Sequence, residues 1–206
     1  MANRVLILSI CGFFAAFAGN AGAECQPLSH GAAFMKAIPQ KDIDQNLFAE
    51  ALRKEANFVR CRGGVGELDT ASGLIGAAAA HAGWMATHRK LSHDGGQRFK
   101  ARMRASGVKF KLAAENIASY ERYAFAAGSF KISNMASCRF TSEDGAVVAA
   151  HSYASLAQRV VEGWMASSGH RRNLMNRRLK LSGAGIGFDA SADFCGRYYI
   201  SQSYAG

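Results

Sequence analysis

The stretch Gly-Trp-Met-Ala-Ser-Ser-Gly-His-Arg-Arg-Asn-Leu-Met, residues 163–175, constrains the fold of this chain more than any other feature. It joins the end of an apolar helical pattern to a Gly-His pair, and a second segment, basic and apolar, begins at once. This pattern predicts two helices that meet at a tight corner. A histidine directly after a glycine at such a corner is expected to project into a groove. His170 is therefore the first candidate functional residue.

The first 23 residues have the pattern of an export signal. Arg4 supplies the positive start, residues 5–18 form the apolar stretch, and Ala21-Gly22-Ala23 is a small-residue cleavage site. The apolar stretch is too short for a stop-transfer helix. We therefore expect a secreted or periplasmic protein, cleaved near Ala23, with no transmembrane segment in the mature chain.

The charge of the chain is strongly positive. Its 206 residues include 25 Lys and Arg against 15 Asp and Glu, a formal net charge of +10. Loss of the leader, whose only charged residue is Arg4, leaves about +9. Such an excess favours anionic partners such as lipid headgroups or cell-envelope polymers. The basic residues are scattered and lack interleaved aromatic residues, so we expect no nucleic-acid partner.

Four cysteines remain after the predicted cleavage: Cys25, Cys61, Cys138 and Cys195. An even number in an oxidising compartment predicts two disulfides, for which three pairings exist. We favour Cys25–Cys61, which ties an N-terminal arm to the end of the first helix, and Cys138–Cys195, which ties two strand-like segments. No C-x-x-C spacing occurs, so a structural zinc site is not expected.

Apolar periodicity predicts several helices. One covers residues 42–60, with Asp42 or Asp44 as its N-cap. A shorter basic helix covers residues 96–106 and is stopped by Gly107.

Two further helices are predicted on either side of a strand-rich region. One follows Asp69 or Thr70 and ends near Leu91. The other begins at Ser155, because Ser155 and Gln158 have the spacing of a capping box.

The strand signals lie in the second half of the chain. Short apolar runs in residues 128–151 surround Ser142-Glu143-Asp144-Gly145, which is typical of a hairpin turn. Residues 183–190 and 195–204 predict two more strands. Helices enclosing a small, mainly antiparallel sheet predict an α+β layered domain.

Several short motifs together resemble the CAP superfamily, the cysteine-rich secretory, antigen 5 and pathogenesis-related-1 proteins (the SCP-like domain), and most of all its bacterial secreted branch. They occur in family order over roughly residues 44–206. The matching pieces are His81-Ala82 through Met85-Ala86, Leu91-Ser92-His93, Ala114-Glu115-Asn116-Ile117-Ala118, Gly163-Trp164-Met165 with Ser167, Gly169-His170-Arg171 with Asn173-Leu174-Met175, and the segment from Gly183 to Tyr204 with its Gly185-Ile186-Gly187.

This resemblance implies a three-layer α-β-α sandwich over residues 44–206, preceded by an N-terminal arm over residues 24–43. It also implies a groove lined by two histidines and acidic residues. Carried over by position, the groove residues of this chain are His93, Glu115, Ser167, His170 and Asn173.

The chain departs from the family pattern in two places. Ser167 stands where the family usually has a second groove carboxylate, and this exchange weakens any scheme that needs two carboxylates or four metal ligands. A long segment near residues 121–152 replaces a short loop. It is expected to reshape the groove or to add a surface for a partner.

Two kinds of chemistry are open for the groove. His93 and His170, with Glu115, are candidate Zn²⁺ ligands that leave a position for water, although no cofactor is required. Alternatively, the histidines and Glu115 brace the groove by hydrogen bonding. Ser167 and Ser168 lack a nucleophile-elbow pattern, which argues against a serine hydrolase.

The histidines of the second predicted helix are expected to be structural. His81 and His88 lie seven positions apart on one helix face, near Trp84, and are expected to pack there rather than bind metal.

The sequence thus favours a secreted binding module, more plausibly not an enzyme, that takes a small ligand, a lipid or an envelope component. One alternative is a weakly zinc-dependent hydrolase or protease. The other is a protein-interaction or virulence-type module that uses the inserted segment.

Overall fold

The computed structural model describes residues 25–125 and 129–206, so the predicted leader at residues 1–23 lies outside the described residues. The helices are α1 (Gln45–Arg62), α2 (Ser72–His88), α3 (Phe99–Ala105), α4 (Tyr153–Ala166) and α5 (Ser168–Leu174). The strands are β1 (Asp69–Thr70), β2 (Ala113–Glu121), β3 (Phe130–Asn134), β4 (Arg139–Ser142), β5 (Leu181–Asp189) and β6 (Arg197–Ala205). None of the helices in the described ranges combines the length and apolar character that crossing a bilayer requires.

One sheet separates two layers of helices. Its strand order is β1-β5-β6-β2, with β1 parallel to β5 and the other pairs antiparallel. Helices α2 and α3 cover one face, while α1, α4 and α5 cover the other. Side chains alternate between the two faces as the strand period requires. On β6, for example, Ile200 packs with α1 and α4, and Tyr199 packs with α2. The predicted α+β layered fold is therefore confirmed.

Alternate glycines on β5 bring α2 directly against the sheet. A Cβ atom added at Gly183, Gly185 or Gly187 would overlap backbone atoms of α2. Only hydrogen at these positions permits so close an approach of helix and strand.

Polar side chains fix where the helices begin. Asp44 is the N-cap of α1 and accepts a hydrogen bond from the Leu47 amide at 2.9 Å, as one of the two predicted caps. The predicted start of α4 is wrong by three residues. Ser152 is the N-cap, and its partner in the capping box is Ser155. Both serines have a hydrogen-bonding residue three positions later, so the spacing alone chose the wrong one.

The corner predicted at Gly169-His170 also lies slightly earlier. Ser167 ends α4 and precedes α5, so Gly169 and His170 belong to the first turn of α5. The predicted pair of adjoining helices is present. The helix predicted over residues 42–60 is shifted to Gln45–Arg62. The second and third predicted helices run longer than the structure has them, because α2 ends at His88 and α3 begins at Phe99.

Two disulfides join the periphery to this core. Cys25–Cys61 ties the N-terminal arm to the end of α1, as predicted. Inside the arm, His30 lies 2.9 Å from Glu55 of α1, and Ile38 is buried.

Cys138–Cys195, the second predicted pairing, ties the inserted segment to the β5–β6 connection. The segment contains the β3–β4 hairpin, and the predicted turn at residues 142–145 follows it, with Thr141 bridged to Val147. Its interior is a cluster of aromatic rings, in which Phe140 is fully buried. The rings are those of Tyr123, Phe125, Phe130, Phe140 and Phe194.

Candidate ligand-binding groove

Glu115 lies at the centre of the predicted groove, on the edge strand β2. Its side chain is on the same face of the sheet as Ile117, which packs against α2, and it is 2% exposed. The next residue, Asn116, faces the opposite layer. The edge strand therefore presents one polar side chain to each layer of helices.

The Glu115 carboxylate has three protein hydrogen-bond donors. His93 donates through Nδ1 to Oε2 at 2.9 Å, Arg102 donates to Oε1 at 2.7 Å, and Ser201 donates to Oε1 at 3.1 Å. The same Arg102 nitrogen also donates to the backbone carbonyl of His93 at 3.0 Å. The loop after α2 is thereby held to both α3 and β2.

These bonds keep Glu115 ionised. Burial by itself would raise the pKa of Glu115, but the hydrogen bonds from His93 and Arg102 outweigh it and hold the pKa below its usual value. A buried carboxylate needs either hydrogen-bond partners or a raised pKa. The structure has the first.

His93 is the exposed member of the pair. Its side chain is 53% exposed, and its Nδ1 proton is directed at Glu115. The hydrogen bond to Glu115 raises the pKa of His93 above the ordinary value of 6.5, and partial burial opposes this only in part. His93 therefore adds positive charge to the groove at pH values below its raised pKa.

On the other layer, a chain of amides ties α5 to β2. Asn173 donates to the Glu115 backbone carbonyl at 3.2 Å and to Asn116 Oδ1 at 3.0 Å. Asn116 in turn donates to the His170 carbonyl at 3.1 Å. The predicted groove residue Asn173 thus holds α5 against β2 on the side of the sheet opposite to the Glu115 side chain.

His170 and Ser167 complete the predicted set. Burial lowers the pKa of His170, and the nearby charge of His93 lowers it further. His170 is half-buried and its ring lies 6.3 Å from that of Trp164. Ser167 makes no side-chain cap bond to α5. The structure brings His93, Glu115, His170 and Asn173 together around β2, and Ser167 joins them only as the connection between α4 and α5.

Three groups at this site were not expected from the sequence: Arg102, Ser201 and Asn116 as the bracing amide. Arg102 is 13 residues from Glu115, and Ser201 is 86 residues away. Sequence motifs connect residues a few positions apart, so they do not reveal contacts at these separations. The basic helix that carries Arg102 was predicted, but not the inward direction of this one side chain.

The donor set for a metal is small. Glu115 is engaged by three protein donors, and His93 Nδ1 is engaged by Glu115. His93 and His170 can then each offer one ring nitrogen to an ion. Within residues 25–125 and 129–206, no three His, Cys, Asp or Glu side chains are grouped to hold a metal. Protein zinc sites ordinarily use three or four ligands, and the described residues do not supply that set.

The α-β-α sandwich with a histidine- and glutamate-lined groove at an edge strand defines the class of this protein. The chain matches the CAP family, described as the cysteine-rich secretory protein family, over residues 55–204. It belongs to that family. No curated protein sequence matches it.

Two solved structures show the same fold. An extracellular protein containing an SCP domain from Bacillus anthracis str. Ames is 22% identical, with a TM-score of 0.51 over 78% of this chain. This chain spans only 40% of the length of that protein. An outer surface protein from Borrelia burgdorferi is 16% identical, with a TM-score of 0.50 over 80% of this chain and 97% of its own. At these identities the likeness is one of fold.

Proposed function

We propose that this protein is an exported, non-enzymatic binding module whose groove, formed by His93, Glu115, His170 and Asn173, takes the anionic group of a small ligand, lipid or envelope component. Export is supported by the two disulfides, since such bonds persist in oxidising compartments. It is also in keeping with the description of the two similar structures as an extracellular and an outer surface protein.

The engagement of Glu115 by three protein donors is the observation that carries this proposal. A general base must have a lone pair within reach of the proton that it removes, and a pKa matched to the task. Glu115 is buried, its pKa is lowered, and three protein donors occupy its oxygens. Ser167 replaces the only other acidic position expected in the groove. The arrangement suits a fixed counter-charge better than a catalyst.

The charge of the groove supports an anionic ligand. Glu115 is neutralised by the buried Arg102, so His93 contributes a positive charge whenever it is protonated. The surrounding chain is basic, and Arg171 and Arg172 are exposed on α5 beside His170. A positively charged surface of this kind attracts phosphate and carboxylate groups.

Titration with a soluble anionic lipid tests the proposal. Dihexanoyl phosphatidylglycerol should bind more tightly at pH 6 than at pH 8, because the pKa of His93 is raised above 6.5 and the ring loses positive charge as the pH rises. Dihexanoyl phosphatidylcholine, which has the same chains and no net charge, should bind more weakly. His93→Gln should remove the pH dependence. Arg172→Gln, which removes a positive charge from exposed α5, should weaken binding equally at both pH values.

Three results would contradict the proposal and separate it from its alternatives. Equal binding of the two lipids removes the anionic preference. Stoichiometric zinc uptake that is lost in His170→Ala, together with peptide hydrolysis, would favour the zinc-dependent alternative. A partner interaction that is lost when Ile132 or Val147 of the inserted segment is replaced, but kept in His93→Gln, would favour the interaction module.

A further inference from the structure

A second depression, separate from the groove, lies between α2 and α3. Its volume is about 490 Å³, within the range of sites that hold small molecules. The α2 side is a row of small residues, Gly73, Gly76, Ala77 and Ala80, and Trp84 closes one end. None of the predicted groove residues lines it.

The deepest polar group of this pocket has an unsatisfied acceptor. His81 lines the pocket and is 1% exposed. Its Nε2 lies 2.9 Å from the carbonyl oxygen of Ser92. A carbonyl only accepts, so Nε2 carries the proton. Burial lowers the pKa of His81, which keeps the ring neutral and leaves Nδ1 as a lone-pair acceptor.

Among the described residues, Nδ1 of His81 is one of a few buried side-chain atoms without a hydrogen-bond partner. An unsatisfied polar atom of this kind carries a free-energy cost. A ligand that brings a hydrogen-bond donor to Nδ1 would recover that cost. The pocket should therefore favour a ligand that carries a hydrogen-bond donor.

Among the residues that the structure describes, Arg102 is the one charged side chain that lines the pocket, and its donors are already engaged. Arg102 donates to Glu115, to the His93 carbonyl and to the Gln97 carbonyl. Its charge is balanced by the Glu115 carboxylate at 2.7 Å. An anionic ligand would have to compete with Glu115 for Arg102, whereas a neutral ligand leaves the ion pair intact.

We propose that the α2–α3 pocket is a binding site for a neutral, mainly apolar molecule that carries one hydroxyl group, with the hydroxyl donating to Nδ1 of His81. The glycines and alanines of α2 form its floor, and Trp84 forms its end wall. The loop after α2 closes tightly on that wall, since a Cβ atom at Gly95 would overlap the Trp84 ring. None of the proposed groove residues lines this site, although its residues Arg102 and His81 lie beside Glu115.

Three matched probes test the chemistry, with binding measured by calorimetry at pH 7. 2-Naphthol has a hydroxyl donor, 2-methoxynaphthalene has the same rings without the donor, and 2-naphthoate has the rings with a negative charge. The wild-type protein should bind 2-naphthol about tenfold more tightly than either of the others, the size expected for one hydrogen bond to a buried acceptor.

Two variants locate the site. Gly76→Leu should abolish binding of 2-naphthol by filling the pocket, because a side chain at Gly76 meets no other atom within 4 Å. The matched control is Gly83→Leu, on the same helix, where the space is equally open but which does not line the pocket. His81→Gln keeps an N–H for the Ser92 carbonyl and removes Nδ1, so it should equalise the affinities for 2-naphthol and its methyl ether.

The outcomes are decisive in both directions. The proposal is overturned if the wild type binds no 2-naphthol, binds the ether or the naphthoate equally well, or keeps its affinity in Gly76→Leu. If His81→Gln does not fold, as judged by circular dichroism, the probe comparison on the wild type still decides. His93→Gln should bind 2-naphthol like the wild type, so this test and the test of the groove fail separately.

Discussion

Glu115 is a buried carboxylate whose three partners come from a loop, a helix and a neighbouring strand. At the scale of single residues, this ion-pair network explains why His93 is held in place and carries a raised pKa. It also defines the cost of removing the carboxylate, because Arg102 would then be buried without a counter-charge.

Glu115→Gln is expected to lower the free energy of unfolding by about 3–5 kcal/mol, the usual cost of breaking a buried ion pair. Chemical denaturation measures it. The control is Glu121→Gln on the same strand, whose partner Arg197 is 37% exposed at the side chain. That exposed pair should contribute less than about 1 kcal/mol. Equal losses in the two variants would contradict the assigned role of Glu115.

The residue scale also shows where sequence reasoning reaches its limit at this site. His93, His170 and Glu115 are recognisable from the motifs around them. Arg102 is not, since its helix carries several basic residues and only the three-dimensional packing selects the one that turns inward. His81 was expected to pack beside Trp84, and it does, with ring centroids 6.2 Å apart. The lack of a hydrogen-bond partner for His81 Nδ1 is seen only in the three-dimensional structure.

At the scale of elements, the contact between α2 and β5 depends on small residues. The alternation of Gly183, Gly185 and Gly187 is visible in the sequence as a strand pattern. Its meaning as the close-packed face becomes clear only when α2 is placed against it. The start of α4 illustrates the opposite case, because two serines three residues apart offer equivalent caps and local spacing does not decide between them.

Gly185→Ala is expected to destabilise the fold by about 3 kcal/mol or more. The added methyl group would overlap the backbone of α2 at Ala79, and overpacking a rigid contact costs at least about 1–3 kcal/mol. The matched control is Gly76→Ala on α2, which meets no neighbour and should stabilise the protein by about 0.5–1 kcal/mol. A thermal shift of the same sign for both would refute the close contact.

The start of α4 should also respond to pH through His151. Its ring lies 2.9 Å from Ser155, and burial lowers the pKa of His151 to about 4, with Arg159 adding to the effect and Glu121 opposing it. The unfolded chain takes up this proton near the ordinary pKa of 6.5. Stability should therefore fall as the pH drops from 6.5 to 4, by roughly 2–3 kcal/mol from this residue.

His151→Asn keeps a hydrogen-bonding group for Ser155 and removes the titration. Denaturant unfolding of both proteins between pH 7 and pH 4 measures the difference. His81 and His170, whose pKa values are also lowered, titrate in both proteins and cancel in the comparison. If the unfolding free energies of the two proteins change with pH in parallel, His151 is not the source of the pH dependence.

At the scale of the whole molecule, two disulfides hold the arm and the inserted segment on a sandwich that already has its own core. The order of elements predicted the layered fold. The cysteine count predicted two bonds but left three pairings open, and the favoured pairing is the one that the structure has. The detailed shape of the inserted segment was not predicted, since its aromatic cluster brings Phe194 from beyond β5 onto the hairpin.

Replacing Cys138 and Cys195 together by serine should cost about 2–5 kcal/mol, the range for disulfides in small secreted domains. The loss should appear in the unfolding free energy, and non-reducing peptide mapping of the wild type should show both predicted pairs. The bond lies beside the Glu121 end of β2, whereas Glu115 pairs with Ser203 towards the other end of the strand. The affinity for dihexanoyl phosphatidylglycerol should therefore be unchanged. A free thiol at either position would refute the pairing.

The central claim is that Glu115 keeps His93 protonated so that the groove presents a cation to an anionic ligand. The most direct measurement is an NMR titration of His93, free and with dihexanoyl phosphatidylglycerol. We predict a pKa above 6.5 in the free protein, a further rise with the lipid, and a lower pKa in Glu115→Gln. A His93 pKa at or below 6.5, or one that the lipid leaves unchanged, would contradict the claim.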